Sequence, residues 1–288
     1  MGTNNLSESS IAVWKKWIDV TRSRCHLHFI LNGGEIASHV DCCSKSAGET
    51  IKRVVLDLPD DFKPKRVLEV GASVGFNCLA LAAHYKEAEV YSVEPDEDAV
   101  EVAKSMAQDY ELNYIPTVGV GEVMGYPDGF FDLIVCHTVI EHVKNVESTV
   151  KEMTRVLSTN GFVHLEAPNY LWPYEPHLDV WCVPLLGKKS VRLLSFLQGK
   201  HKDNWYVEHL RFVTPGKLEK LFSVNELAWE NRSEAKLRNA ANGTADIKMY
   251  GFASSVIAFF GRFGISKILV SVIGKLRLYP SVLYTLRK

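Results

Sequence analysis

Residues Val67–Gly75 read VLEVGASVG. An apolar run holds one carboxylate, Glu69, and passes directly into a turn with glycines at 71 and 75. A short apolar run ending in glycine reads as a buried strand entering a tight turn. Such a turn serves either as a phosphate cradle or as a site for a different nucleoside ligand. The phosphate-loop pattern GxxxxGK[ST] is absent. A dinucleotide fingerprint needs glycine where the backbone meets a pyrophosphate, and Ser73 stands there. The GxSxG spelling also occurs in hydrolase nucleophile elbows, but a carboxylate inside the preceding strand has no role in that chemistry. A second acid decides the matter. Glu94 ends the next apolar run, in VYSVEPDEDAV. A carboxylate there can accept both hydroxyls of a ribose. Its bland alternative is to cap the helix that follows; Asp96 and Asp98 are better placed for that, which predicts a Glu94 free for a ligand.

Outward from this stretch, strand and helix patterns alternate. Strand-like runs cover 66–70, 90–93, 115–120, 131–136 and 161–165, the last after a Thr159-Asn160-Gly161 turn. Helical patterns cover 76–85, 96–110 and 146–157. This alternation predicts an α/β fold, a doubly wound, mostly parallel sheet with helices on both faces and ligands at the carboxyl ends of its strands. Before it, 9–20 and 46–58 read as helices, and 21–44 as irregular chain with a turn at Gly33-Gly34. After it, 169–210 is rich in Pro, Trp, Tyr and His, 215–222 reads as a helix, and 227–232 as a strand. The C-terminal SVLYTLRK alternates like an edge or near-edge strand.

The chain has 288 residues, 47% of them hydrophobic, and a formal net charge of −1. That supports a sizeable core and argues against a broadly basic nucleic-acid face. The six cysteines do not form a disulfide framework; Cys78 and Cys136, inside apolar runs, read as reduced core thiols. The stretch MGTNNLSESS has neither the basic nor the apolar part of a signal peptide, so a cytoplasmic location is expected.

Three blocks carry a family resemblance. They are VLEVGASVGFNCLALA, VYSVEPDEDAVEVAK and GYPDGFFDLIVCHTVIEHVKNVESTVKEMTRVLSTNGFVHLEAPN, in that order. Together they resemble class I S-adenosylmethionine-dependent methyltransferases, in the group that includes quinone and small-molecule methyltransferases. The resemblance spans about 64–169 and returns at HLRFVTPGKLEKLF and the last strand. It implies a seven-stranded Rossmann-like sheet and S-adenosylmethionine as cofactor. It further implies that Glu69, Gly71, Ala72, Ser73 and Gly75 surround the methionine part. Glu94 then takes the ribose hydroxyls and Pro95 packs beside the adenine. The family's acid for the adenine amino group falls at Val120 here, so Glu122, two places on, is the candidate. His137 and Thr138 would face the sulfonium end. The residue types suit such a ligand: a sulfonium cation without phosphate needs acids and close backbone, not a lysine clamp.

Domains follow as a helical lid or cap over 1–60, a cofactor core over 61–170, an acceptor-pocket insert over 171–210, and a remainder over 211–288. That remainder carries an apolar, basic insert at about 233–279 and the last strand. Methyl transfer rests on alignment and water exclusion, with a base where the acceptor is a hydroxyl or amine. Candidate bases are His142, His177 and His209, each with a structural hydrogen bond as its alternative. In certain quinone methyltransferases, the pair matching Glu141-His142 contributes to a divalent-metal site. Trp172, Tyr174, Trp181, Trp205 and Tyr206 either line the acceptor pocket or fill a lid core. Cys25, His26, His28, His39, Cys42 and Cys43 lack zinc-site spacing, and no metal is expected. Beyond Asp246 there are no acids, but seven Lys and Arg residues interleave with apolar runs too short to span a bilayer. The segment 250–279 is either a cap over the acceptor pocket or a peripheral membrane contact. Both fit a small or lipid-like acceptor rather than nucleic acid, methylated most readily at oxygen. The rival readings are a catalytically degenerate methyltransferase-like binding or scaffold protein, a quinone-type C-methyltransferase, and a nucleotide-sugar or NAD enzyme of the same fold.

Overall fold

The structure is a computed structural model that describes residues 6–24, 36–183, 186–200, 204–241 and 266–288. The helices are α1 (Glu8–Arg24), α2 (Ile36–Leu56), α3 (Phe76–His84), α4 (Glu97–Asp109) and α5 (Val146–Val156). They continue with α6 (Lys188–Leu197), α7 (Asn204–His209), α8 (Pro215–Val224), α9 (Ser233–Ala241) and α10 (Ser266–Lys275). The strands are β1 (Arg66–Val70), β2 (Glu89–Glu94), β3 (Tyr114–Val118), β4 (Phe131–His137) and β5 (Leu157–Pro168). They end with β6 (Tyr174–Glu175), β7 (Val180–Trp181), β8 (Ala228–Asn231) and β9 (Ser281–Arg287). Seven strands form one mostly parallel sheet in the order β3-β2-β1-β4-β5-β9-β8, and β6 and β7 form a separate hairpin. The α/β architecture is the one the alternation predicts.

The chain divides into two compact units. The first comprises Met1–Cys136, Glu147–His164 and Arg287–Lys288; the second, His137–Val146 and Leu165–Leu286. In the first unit β1 pairs in parallel with β2 and β4, and β2 with β3, so the ends of β1 and β2 lie side by side. β1 is apolar because it is covered on both faces: Val67, Leu68 and Val70 are all buried. The core there gathers Trp14, Ile51, Val54, Leu79, Val102 and Met106. Asp96 caps α4 by accepting from the N–H groups of Asp98 and Ala99. α1 is joined to α4 by Lys16 with Asp98 and Glu101, and by Ser7 N donating to Asp109. β3 ends the sheet on one side, with Pro116 opposite Ser92. Val90 N donates to Asn113 O and Gly119 N to Glu94 O. Odd-numbered backbone groups of β3 therefore face β2, and the nitrogen of Pro116 faces the open side.

In the second unit Leu178, Val180, Cys182, Val191 and Val207 form a small cluster of their own. Residues 171–210 hold the β6–β7 hairpin with α6 and α7. Pro215 opens α8 at the position where a missing N–H costs nothing.

Three local expectations are corrected. Chain expected to be irregular over 21–44 is helical up to Arg24 and again from Ile36. Val40, Ala47, Ile51 and Val54 make one buried stripe, so the helical period starts well before Ser46. The turn expected at Thr159–Gly161 is part of β5. Gly161 serves close packing there: a Cβ would come within 2.7 Å of Leu157 Cδ1 and 3.0 Å of Asp132 O. β9 lies near the sheet edge as expected, but Leu283 and Thr285 are buried along with Val282, Tyr284 and Leu286, so both faces are covered. Gly33-Gly34, Cys25, His26 and His28 fall outside the described residues, as does the apolar run at 250–261. Cys42, Cys43, Cys78, Cys136 and Cys182 form no disulfide among the described residues.

Candidate functional site

In the first unit, the turn after β1 is bent by three residues with positive φ: Gly71 (71°), Ser73 (49°) and Gly75 (88°). Gly75 N donates to Ala72 O, and Gly71 N to Val93 O at the end of β2. Gly75 has a second constraint. A Cβ on it would lie 2.7 Å from the Tyr114 hydroxyl. Its lack of a side chain therefore serves packing against Tyr114.

Glu94 is not free, contrary to the expectation. Its Oε2 accepts from Ser73 N at 2.8 Å and its Oε1 from Asp96 N at 3.0 Å. The capping argument was half of the answer: Asp96 does cap α4, and Glu94 clips the glycine turn to the end of β2. An ionised carboxylate offers about four lone-pair sites, so this clip leaves acceptor capacity. Burial raises the Glu94 carboxyl against the lowering effect of its two N–H donors.

Glu69 is buried under the same turn. It accepts from Asn77 Nδ2 at 2.8 Å and from Cys78 Sγ at 3.0 Å. Burial pushes its carboxyl up to about 7, with the Cys78 and Asn77 bonds opposing. Burial also raises the Cys78 thiol and the Tyr114 hydroxyl well above their usual ranges, and Tyr114 shares a 2.8 Å hydrogen bond with Ser92. Residues 67–82 contain no Lys or Arg. Two acids and no cation make a site for a positively charged or hydroxyl-rich ligand, not for a pyrophosphate. Ala72 is buried here, whereas Ser73 and Pro95 are exposed. Glu122 is half-buried in a turn closed by the Val120–Val123 bridge, just after Gly119 N binds the backbone of Glu94. Asn77 and Cys78 escaped the sequence argument; their signal is the first turn of the helix that Glu69 faces.

The second unit holds a different cluster. Thr138, with φ of 52°, follows His137 and donates its N–H to Glu166 O at 2.7 Å. His137 is half-buried and Thr138 exposed. Glu141 is fully buried, and neither carboxylate oxygen has a hydrogen-bond partner among the described residues. His142 Nε2 lies 3.8 Å and His177 Nε2 3.9 Å from Glu141 Oε1. The two rings meet edge to face, 4.9 Å between centroids. Glu175, also buried, accepts from His177 Nδ1 at 2.6 Å and from Leu178 N at 2.7 Å. Burial pushes Glu141 up to about 7 and His142 down to about 4, the latter helped by the charge of His177. For His177 burial acts downward, but the hydrogen bond and charge of Glu175 outweigh it and raise the imidazole.

The structure thus brings His142 and His177 together, while His209 is exposed at the end of α7, outside that trio. Three donor atoms of Glu141, His142 and His177 lie within 4.8 Å of one another and could hold a divalent cation. The chemistry of the set fits: carboxylate and imidazole suit first-row metals, and Glu175 on Nδ1 is the partner a ligating histidine needs. Glu175 was missed in the sequence, although its spacing from His177 in YEPHLDV is a usable signal.

Residues 68–165 match the family model described as "Methyltransferase domain". Over that span the chain is similar to methyltransferase domains. Among particular relatives, the "Uncharacterized methyltransferase YcgJ" of Bacillus subtilis is 29% identical over 167 residues, 58% of each chain. Its crystal structure shares the fold, with a TM-score of 0.51 at 19% identity over 85% of this chain and 99% of that one. Ajmaline N-methyltransferase of Rauvolfia serpentina is 28% identical over 152 residues, 51% of this chain and 52% of the relative. A ubiquinone biosynthesis O-methyltransferase of Bartonella quintana is 24% identical over 166 residues, 58% of this chain and 61% of the relative. The chain therefore spans somewhat more than half the length of these curated relatives.

Proposed function

We propose that the protein binds S-adenosylmethionine and transfers its methyl group to a small or lipid-like acceptor, at oxygen. One observation carries the reading: Glu69 and Glu94, at corresponding ends of adjacent parallel strands, bracket a left-handed turn that lacks any cation. Relatives named as N- and O-methyltransferases support the acceptor class. When bound, the sulfonium supplies the methyl group. In this assignment Glu69 balances the ligand's ammonium, Glu94 accepts from the ribose hydroxyls, and Glu122 accepts from the adenine amino group. Ser73 and Gly71 shape the backbone around the methionine part. The edge-to-face stacking of Trp14 on Trp17, and the approach of Trp14 to Phe76 at the head of α3, support a capping role for α1. With no cation on Glu141 and His142, His177 takes the acceptor's hydroxyl proton at Nε2, because Glu175 holds the proton on Nδ1. Glu175 is then a positioning residue.

Calorimetry with S-adenosylhomocysteine, and separately with NAD, tests this. The first ligand is expected to bind and the second not to compete. Glu94→Gln, which keeps one acceptor oxygen for the turn, is expected to lose roughly 1–3 kcal/mol of binding. Binding without methyl transfer to any hydroxyl or amine acceptor in a radiolabel screen would favour a binding protein. NAD binding in place of S-adenosylhomocysteine removes the proposal.

A further inference from the structure

We propose that α6 seats the protein on a membrane surface carrying anionic lipid, an interaction independent of the methyl-transfer reading. The helix is two-sided. Val191 and Ser195 are buried, Val191 with Leu178, Val180, Cys182 and Val207. The other side carries Leu193 at 60% exposure and Leu197 at 68%, with Leu186 just before the helix at 72%. Positions 189, 193 and 197 recur at helical spacing, so Lys189, Leu193 and Leu197 form one stripe, and Leu186 lies outside the helix, before the non-helical Gly187. Phe196, 64% exposed, borders it. Large apolar side chains gathered on one exposed stripe mark an interaction surface.

Charge selects the partner. Residues 180–202 contain no acid; Lys189 lies in the stripe, Arg192 and then Lys188 follow on one flank of the helix, and Lys200 lies beyond its C-terminal end. Arg192 pairs with Glu208 and Lys200 with Asp179. Lys188 donates to a neutral acceptor, the Glu208 carbonyl, so its charge is not cancelled there. The amine of Lys188 is lowered by burial and then by Arg211 and Arg192, the mark of crowded positive charge. A short apolar stripe rimmed by lysines is how an interfacial helix meets anionic headgroups: leucines enter the acyl boundary and cations stay at the phosphate level. A protein partner would be expected to offer acids to the lysines, but a lipid surface offers both anions and an apolar layer in one plane.

The test is co-sedimentation of the full chain with phosphatidylcholine vesicles, with and without phosphatidylserine. The wild type is expected to pellet with the anionic vesicles and to be released by high salt. Leu193→Ser/Leu197→Ser is expected to lose at least about tenfold in partitioning, since each exposed leucine gives up its burial in the acyl layer. Lys188→Gln/Lys189→Gln is expected to lose the preference for phosphatidylserine. Leu193, Leu197 and Lys189 are solvent-facing, whereas Lys188 also holds the Glu208 carbonyl, so thermal melts of the variants check that the fold is retained. No pelleting of the wild type with anionic vesicles overturns the proposal. So does equal pelleting of the leucine variant, or self-association through this face in place of vesicle binding.

Discussion

Glu69 has no counter-ion in the first unit's turn; its partners are the Asn77 amide and a neutral thiol. The sign of its pH effect follows. A carboxyl raised to about 7 by burial stabilises the fold fully while it is protonated in both states, below the ordinary carboxylate range. That contribution is lost as pH rises from there through about 7. Glu69→Gln is therefore expected to gain on the wild type, by roughly 1–3 kcal/mol, between about pH 5 and pH 8 in urea melts of the ligand-free protein. A constant difference across that range would mean that Glu69 is already ionised in the fold. The same sign holds for Glu141, which is also raised to about 7 and has no hydrogen-bond donor among the described residues. In chelator, Glu141→Gln is expected to be more stable than the wild type at alkaline pH, because an uncompensated buried carboxylate is removed. Destabilisation of that variant at alkaline pH would show that the carboxylate has a counter-charge. At this scale the sequence was legible for residue identity and not for bonding. The positions of Glu69 and Glu94 relative to the turn could be read directly. That Glu94 would hold Ser73 could not, because the bond depends on the left-handed φ of Ser73 and on β2 lying beside β1.

Elements with a strong period were the easiest to read. β1 is found where the apolar run predicts it, and α3, α4, β2, β4 and α5 within a residue or two. α4 shows why: Asp96 caps it, acids fill its first turn, and its buried side recurs at helical spacing. Loss of that cap is a test at this scale. Asp96→Ala is expected to cost about 1 kcal/mol, the usual price of an N-cap, with a further loss because Trp17 Nε1 donates to the same side chain at 3.4 Å. Denaturant melts of Asp96→Ala and Trp17→Phe separate the two parts; an unchanged midpoint for both would mean that α4 needs neither. α2 and β5 were misread in part for opposite reasons. Polar His39, Cys42 and Cys43 mask a helical stripe that starts at Val40. The Thr-Asn-Gly spelling of a turn was overridden by packing, since Gly161 is pressed against Leu157 and the backbone of Asp132.

At the scale of the molecule, the alternation of strands and helices was enough to give the α/β class, but not the path of the chain between units. The first unit is assembled from separate stretches, with His137–Val146 leaving it and Glu147 returning. Periodicity is local and cannot report such an excursion. Among the described residues no helix is long and apolar enough to cross a membrane. The outer strand β3 has a further consequence for molecules in company. It shows Ile115 and Val118 to solvent and would be an attractive template for a strand from a neighbour. The imide nitrogen of Pro116, turned to that open side, offers no donor and interrupts the docking ladder. Pro116→Val would restore the ladder while leaving every bond to β2 intact. Concentrated solutions of that variant are expected to scatter light and bind thioflavin on standing, and wild-type solutions to stay clear. One ring thus denies a neighbouring copy a continuous row of donors on this edge.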